Sequence, residues 1–240
     1  MSARLTWLGH STVIVEMDGA RLVTDPVFRR RIAHLRRDAP AVTPKRPDAV
    51  LLSHLHYDHL DKPSLARLGR DVPVVAPRGA RHFLRGFSDV REVAIGSTVE
   101  LGPLRVDVVD ARHDGRRRPV GPPIAALGFV VRGSRSIYFA GDTELFDGMA
   151  AVAPVDAALL PVWGWGPRLG PGHLDPASAA QALTLLRPSL AIPIHWGTYG
   201  VIGRRRPDRS PAEQFALEAS KVAPAVDVRV LPVGGMLEVP

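Results

Sequence analysis

Apolar residues in this chain come in short, β-branched runs closed by Gly, Pro, Asp or Ser, not in long stripes of helical period. Such runs read as strands. They predict strands at residues 4–8, 12–17, 21–24, 49–53, 74–76, 90–95, 105–110, 124–131, 136–140, 157–161, 191–194, 228–231 and 236–239. Helical spacing appears between them at 63–68, 78–84, 144–152, 176–186 and 211–222. Asp175-Pro176 has the form of a helix start, a carboxylate N-cap followed by proline at the first helical position. Ser210-Pro211-Ala212-Glu213 has the form of a capping box, in which hydroxyl and carboxylate satisfy the free amides of the first turn. Many strands with helices set between them fit an α/β fold (α+β type) in which two sheets are sandwiched by helices, an αββα architecture.

Composition narrows this. With 240 residues, 45% of them hydrophobic, the chain can bury a large core, and no linker or internal repeat divides it. One domain over residues 1–240 is expected. The longest stretch without a predicted element, 25–47, carries Arg29-Arg30-Arg31 and Arg36-Arg37, and reads as a solvated charged surface or a lid. The formal charge is +7, with clusters Arg116-Arg117-Arg118 and Arg204-Arg205-Arg206, which keeps a nuclease or nucleic-acid-binding protein open. No RNA-binding aromatic motif, helix-turn-helix signature or zinc-finger spacing supports a dedicated binding module. Met1 to His10 has no apolar h-region and no run approaches about 18 apolar residues, so a cytoplasmic protein without a transmembrane segment is expected. The absence of cysteine excludes disulfides and thiolate metal sites.

The chemistry concentrates in His54-Leu55-His56-Tyr57-Asp58-His59, which follows the apolar run Asp48 to Ser53. Side chains two apart on an extended chain share a face, so His54 and His56 can reach one metal ion, while Asp58 and His59, where the chain turns away, can address a second. Imidazole and carboxylate suit zinc, iron or manganese. Each ion needs further ligands, and three other strand-like runs deliver one each at their C-terminal ends: His113, Asp142 and His195. His34 and His82 lack that setting and read as surface or packing residues.

Gly9-His10-Ser11-Thr12, Thr24-Asp25-Pro26, the HxHxDH segment, Gly141-Asp142-Thr143, His173-Leu174-Asp175-Pro176 and His195-Trp196-Gly197-Thr198 occur in the order seen in metallo-β-lactamase-fold hydrolases. Taken together, they resemble the branch containing N-acyl-phosphatidylethanolamine-hydrolysing phospholipase D and, more distantly, the ascorbate-6-phosphate lactonases. The resemblance spans about Leu5 to Met236. It implies the αββα fold and two divalent metal ions, zinc first, with manganese or iron as alternatives. It implies one ion on His54, His56 and His113, the other on Asp58, His59 and His195, and Asp142 bridging them. His10 and Asp25 match family positions beside the site, where they would support ligands rather than bind metal. His173 would face the centre and contact substrate or protonate the leaving group. Hydroxide bridging the ions, oriented by Asp58 and Asp142, would attack a small phosphodiester, with a lactone or other ester as the alternative. Trp163, Trp165 and Arg168 read either as a wall of the substrate pocket, Arg168 for phosphate, or as a loop whose tryptophans pack over the core.

Overall fold

The computed structural model describes residues 3–117, 123–166, 168–204 and 208–240. Its first half runs β1 (Ala3–Gly9), β2 (Thr12–Met17), β3 (Ala20–Thr24), β4 (Arg31–Ile32), β5 (Leu35–Arg37), β6 (Ala49–Leu51), α1 (Lys62–Leu68), β7 (Val74–Pro77) and β8 (Val90–Val93). The second half continues with β9 (Thr98–Leu101), β10 (Leu104–Asp114), β11 (Ala125–Arg132), β12 (Ser136–Phe139), β13 (Ala157–Pro161), α2 (Pro176–Leu186), β14 (Leu190–Ile194), β15 (Tyr199–Val201), α3 (Ser210–Val222), β16 (Asp227–Val228) and β17 (Met236–Val239). One seven-stranded sheet has the order β17-β1-β2-β3-β6-β7-β8, and the other β16-β14-β13-β12-β11-β10-β9.

Strand alternation explains the layers. In the first sheet Leu51 and Val75 join Phe129 and Phe139 of the second sheet in the larger core, while Val50, Leu52, Val74 and Ala76 turn the other way onto Leu65 and Leu68 of α1. In the second sheet β13 and β14 are parallel and buried at every position, which is why both read as unbroken apolar runs. α2 and α3 pack on each other and over those two strands. The result is the helix, sheet, sheet, helix order that the hydrophobic pattern predicts. Phe129, 0% exposed between the sheets, is one of its anchors, and truncation to alanine there should cost about 3–5 kcal/mol.

Several local expectations differ from the structure. Residues 78–84 and 144–152 yield only 3-10 turns, Ala80–His82 and Asp147–Val152. Gly79 sits in the left-handed region at φ 93°, which no α-helix accommodates, and Gly148 weakens a segment already short. Asp175 and Ser178 do form a reciprocal capping box at α2. Ser210 does not cap α3: its hydroxyl donates to Asp208 at 2.6 Å, and Arg209 holds the N-cap position and pairs with Glu213. The stretch 25–47 contains β4 and β5, which pair with β15 in a third, three-stranded sheet. Arg37, read as part of a charged surface, is 5% exposed; it donates to the Val27 carbonyl at 3.1 Å and to the Leu8 carbonyl, bracing β1 against this hairpin.

Candidate metal centre

After β6 the chain stays extended, and Leu55 points into the core beneath α1. Its neighbours His54 and His56 therefore face the opposite side. A turn follows in which the His59 and Leu60 amides donate to the His56 carbonyl at 3.1 and 2.8 Å, swinging Asp58 and His59 to a second position. His113 comes from β10, Asp142 follows β12 and His195 follows β14. The amide of His195 donates to the His10 carbonyl at 3.0 Å, tying together the ends of the two sheets that frame the site.

Among the described residues four overlapping groups could hold an ion; Asp25, His54 and His59 form one, His113, Asp142 and His173 another, and the remaining two contain the expected sets. Of these two, His54, His56 and His113 form one, with His113 Nε2 at 3.1 Å from His56 Nδ1. Asp58, His59 and His195, together with His10, form the other, with His59 Nε2 at 3.2 Å from His195 Nε2. Asp142 Oδ2 lies between them, 3.2 Å from His59 Nε2, 3.3 Å from His195 Nε2 and 3.8 Å from His54 Nε2. Two nitrogens bound to a tetrahedral ion at 2.0–2.1 Å must be about 3.3 Å apart, close to both spacings. His54 Nε2 and Asp142 Oδ1 are buried without a partner among the described residues, as are the Ser11 and Tyr138 hydroxyls, but only these two are ligand atoms that converge on one point, where a cation would satisfy both. Donor set, spacing and orphaned atoms together fit divalent metal.

The groups behind these side chains fix their tautomers. His59 Nδ1 meets Asp25 Oδ2 at 2.7 Å, and the Ser53 hydroxyl donates to the same oxygen at 2.5 Å. His54 Nδ1 donates in turn to that hydroxyl at 2.9 Å, so Asp25 orients one histidine of each cluster. His113 Nδ1 donates to the Gly172 carbonyl and His195 Nδ1 to the Trp163 carbonyl, each at 2.8 Å. Every one of these bonds leaves Nε2 with its lone pair aimed at the centre. His10 Nε2 reaches Asp58 Oδ2 at 2.9 Å. His10, Asp25 and His195 adopt positive φ of 53°, 32° and 62°, unfavourable for residues with a Cβ. Gly141, at φ 63°, is required: a Cβ there would stand 2.6 Å from that of Ser53.

Electrostatics agree with a cation site. Burial holds His54 well below its usual range, and lowers His113 to about 4 against the pull of Asp142. Burial, then the charge of His195, lowers His10 to about 3. Burial also opposes charge on Asp58 and Asp142, but the surrounding histidines outweigh it and keep both carboxyls well below the ordinary range. For His59 and His173 burial is likewise outweighed, by three carboxylates for the first and chiefly by Asp142 for the second, and both are raised.

Beside the centre lies a cavity of about 620 Å³ whose wall includes His56, Asp58, His113, Asp142 and His173. His173 Nε2 is 3.5 Å from Asp142 Oδ2 while its Nδ1 faces the Gly170 and Pro171 carbonyls at 3.2 and 3.0 Å. Of the expected pocket residues, Trp165 is on the wall. Trp163 and Arg168 are not among the lining residues; Trp163 packs against the core and Arg168 is exposed. His34, read as a surface or packing residue, is exposed at the cavity rim edge-on to Trp165, ring centroids 4.9 Å apart. Tyr57 and Arg117, unassigned from sequence, also line it; their adjacency to the ligand motif and to His113 was the available signal. Arg116 is paired with Asp114 at 2.5 Å and Arg204 is exposed, while Arg118, Arg205 and Arg206 lie outside the described residues. Among the described residues no helix is long and apolar enough to cross a membrane.

Comparison with known proteins agrees with this geometry. Residues 20–196 match the family model of the beta-lactamase superfamily domain. A UPF0173 metal-dependent hydrolase of Opitutus terrae is 36% identical over 98% of this chain and 100% of its own length. N-acyl-phosphatidylethanolamine-hydrolyzing phospholipase D 1 of Caenorhabditis elegans is 29% identical over 81% of this chain and 64% of its own. In fold, the chain is similar to Igni18, a metallo hydrolase of Ignicoccus hospitalis, with TM-score 0.76, 24% identity and coverage of 99% and 98%. A converging His/Asp centre at the edge of an αββα sandwich, in a chain so matched, belongs to a metal-dependent hydrolase of the β-lactamase superfamily.

Proposed function

We propose that the protein is a dinuclear hydrolase acting on a phosphodiester-type small molecule, with residues 1–240 forming one domain. The position of Asp142 carries this reading. Its Oδ2 is 3.2 Å from His59 and 3.8 Å from His54, and a single carboxylate within reach of both clusters is what a pair of ions needs and one ion does not. His54, His56 and His113 would hold one ion, Asp58, His59 and His195 the other, with Asp142 shared. Zinc suits the nitrogen-rich set, and manganese or iron the same ligands less closely. When bound, divalent ions supply Lewis acidity, lowering the pKa of water to about 7 and polarising a phosphoryl or carbonyl oxygen.

The chain's own groups do the rest. Asp58 is held by His10 and, with Asp142, gives the nucleophilic water a fixed acceptor geometry. His173 keeps Nδ1–H on two backbone carbonyls, so a second proton on its ring must sit at Nε2, facing the centre. In that doubly protonated form it can release the proton to a departing alkoxide. The small cavity supports a compact substrate over a polynucleotide, and likeness to the nematode phospholipase supports a phosphodiester over a lactone. The test is metal analysis of purified protein followed by a screen of phosphodiesters, lactones, thioesters and β-lactams. Two ions per chain and turnover confined to phosphodiesters are expected; one ion, or activity confined to lactones, overturns the reading.

A further inference from the structure

Among the described residues two arginines line the cavity, and they stand in opposite states. Arg116 is consumed by Asp114, Nε to Oδ1 at 2.8 Å and Nη2 to Oδ2 at 2.5 Å, and is neutralised. Arg117 has no carboxylate within ion-pair distance among the described residues, although it is only half-exposed. The chain holds it in place without cancelling its charge: Nη1 donates to the Leu55 and Leu60 carbonyls at 3.1 and 2.5 Å, and the guanidinium lies 3.9 Å from the centroid of the Tyr57 ring. Those contacts fix the plane of the fork. Carbonyls and an aromatic face stabilise a cation, but neither supplies the opposite charge that a desolvated guanidinium prefers. The other carboxylates on the wall are engaged, Asp58 with His10 and Asp142 with the histidines. Ile32, Leu35, Trp165 and Pro171 give the rest of the lining an apolar and aromatic part.

We propose that Arg117, backed by Tyr57, is the anion-recognition residue of the cavity: it takes a carboxylate, phosphate or sulfonate on the substrate that stands apart from the bond being hydrolysed. This rests on the cavity being the hydrolase's substrate site. The substrate it describes is a small molecule with an apolar or aromatic body, a hydrolysable linkage at the metal ligands and a separate fixed negative group within reach of Arg117, which is held on the loop that carries His56 and Asp58. Arg168, exposed and off the wall, is replaced in that role by a residue 51 positions earlier in the chain.

Calorimetric titration of metal-loaded protein with 2-naphthalenesulfonate and with neutral methyl 2-naphthyl sulfone tests it, because sulfonates are weak metal ligands and the two probes share a body. The wild type should prefer the sulfonate by at least about tenfold, a difference of roughly 1.4 kcal/mol. Arg117→Met should abolish that preference while binding the sulfone and two ions as before. Arg117→Lys, which keeps charge but not the planar fork, should retain about a third of the preference and serves if the methionine variant does not fold. Equal affinities in the wild type, or an unchanged preference in either variant, overturn the proposal. A variant that loses sulfone and sulfonate binding alike, with its metal, shows Arg117 to be a brace for the ligand loop and also overturns it. Binding is read without turnover, so failure of the phosphodiesterase reading in the substrate screen leaves this result separately visible.

Discussion

The two histidine clusters draw on the same ligand chemistry in unlike surroundings. In the first, His54 is fully buried, but His56 and His113 are half-exposed and form part of the cavity wall. In the second, Asp58, His59 and His195 are 8%, 0% and 1% exposed, and His10 packs against His195 with ring centroids 3.9 Å apart. The difference assigns labour within one centre. On the proposed function the open cluster would present the face that a substrate meets and that solvent can strip, while the closed cluster, with Asp58 alone of its three ligands on the cavity wall, would keep the frame in register.

The harshest way to break this division is to remove what joins the halves. Asp142→Ala should lower hydrolysis about a thousandfold, roughly 4 kcal/mol in barrier height, and leave fewer than two ions per chain by elemental analysis. Full activity in that variant would sink the shared-carboxylate arrangement altogether. Next in size is the proton donor on the open side. His173→Ala should cost about a hundredfold on substrates with poor leaving groups and only a few-fold on nitrophenyl esters, with metal content unchanged; equal losses on both would reduce His173 to a wall residue.

Exchange kinetics sharpen the comparison directly. Under dilute chelator one ion should leave about tenfold faster than the other, and cobalt spectra should assign the early loss to the half-exposed cluster. Loss of both at one rate would mean that burial does not separate them. The smallest effect concerns the metal-free protein. His10 and His113 have folded-state values of about 3 and 4, below the ordinary 6.5, so the unfolded chain binds protons more readily across that window. Stability is therefore present above about pH 6.5 and drains as pH falls toward those values, partly offset by His59, whose raised value acts in the opposite sense. The melting temperature of the stripped protein should drop by on the order of 5 °C between pH 7.5 and 5; no change would mean that these imidazoles are not buried neutral.

Legibility from sequence followed the same physics. Ligands placed at the ends of apolar strands were readable because short unbroken apolar runs and metal-capable side chains mark the chain together, and His54, His56, Asp58, His59, His113, Asp142 and His195 are brought into one centre. The three-stranded sheet was not readable, since strands as short as Arg31–Ile32 carry no period; His34 is exposed, as a surface residue should be, but nothing in the sequence shows that its hairpin sets it on the cavity rim. Nor could pattern distinguish Trp163, which packs inward and lends its carbonyl to His195, from Trp165, two residues on and facing out. Arg37 and Arg117 look like their solvated neighbours in sequence; only tertiary placement turns one into a brace and the other into a wall.

The left-handed backbone at His10, Asp25 and His195 bears on what selection can do with this fold. Each such residue carries of the order of 1 kcal/mol of conformational strain that glycine or asparagine would relieve. At these buried positions that relief comes with the loss of the contacts that hold the centre, so stability and chemistry pull apart there, as they do not at the likewise left-handed Asp18, Ala33 and Arg187. A screen for heat resistance alone would drift toward those replacements and arrive at a sturdier sandwich with no working centre, whereas a screen that also demands turnover should find its stabilising changes elsewhere, in the helices and the far ends of the sheets.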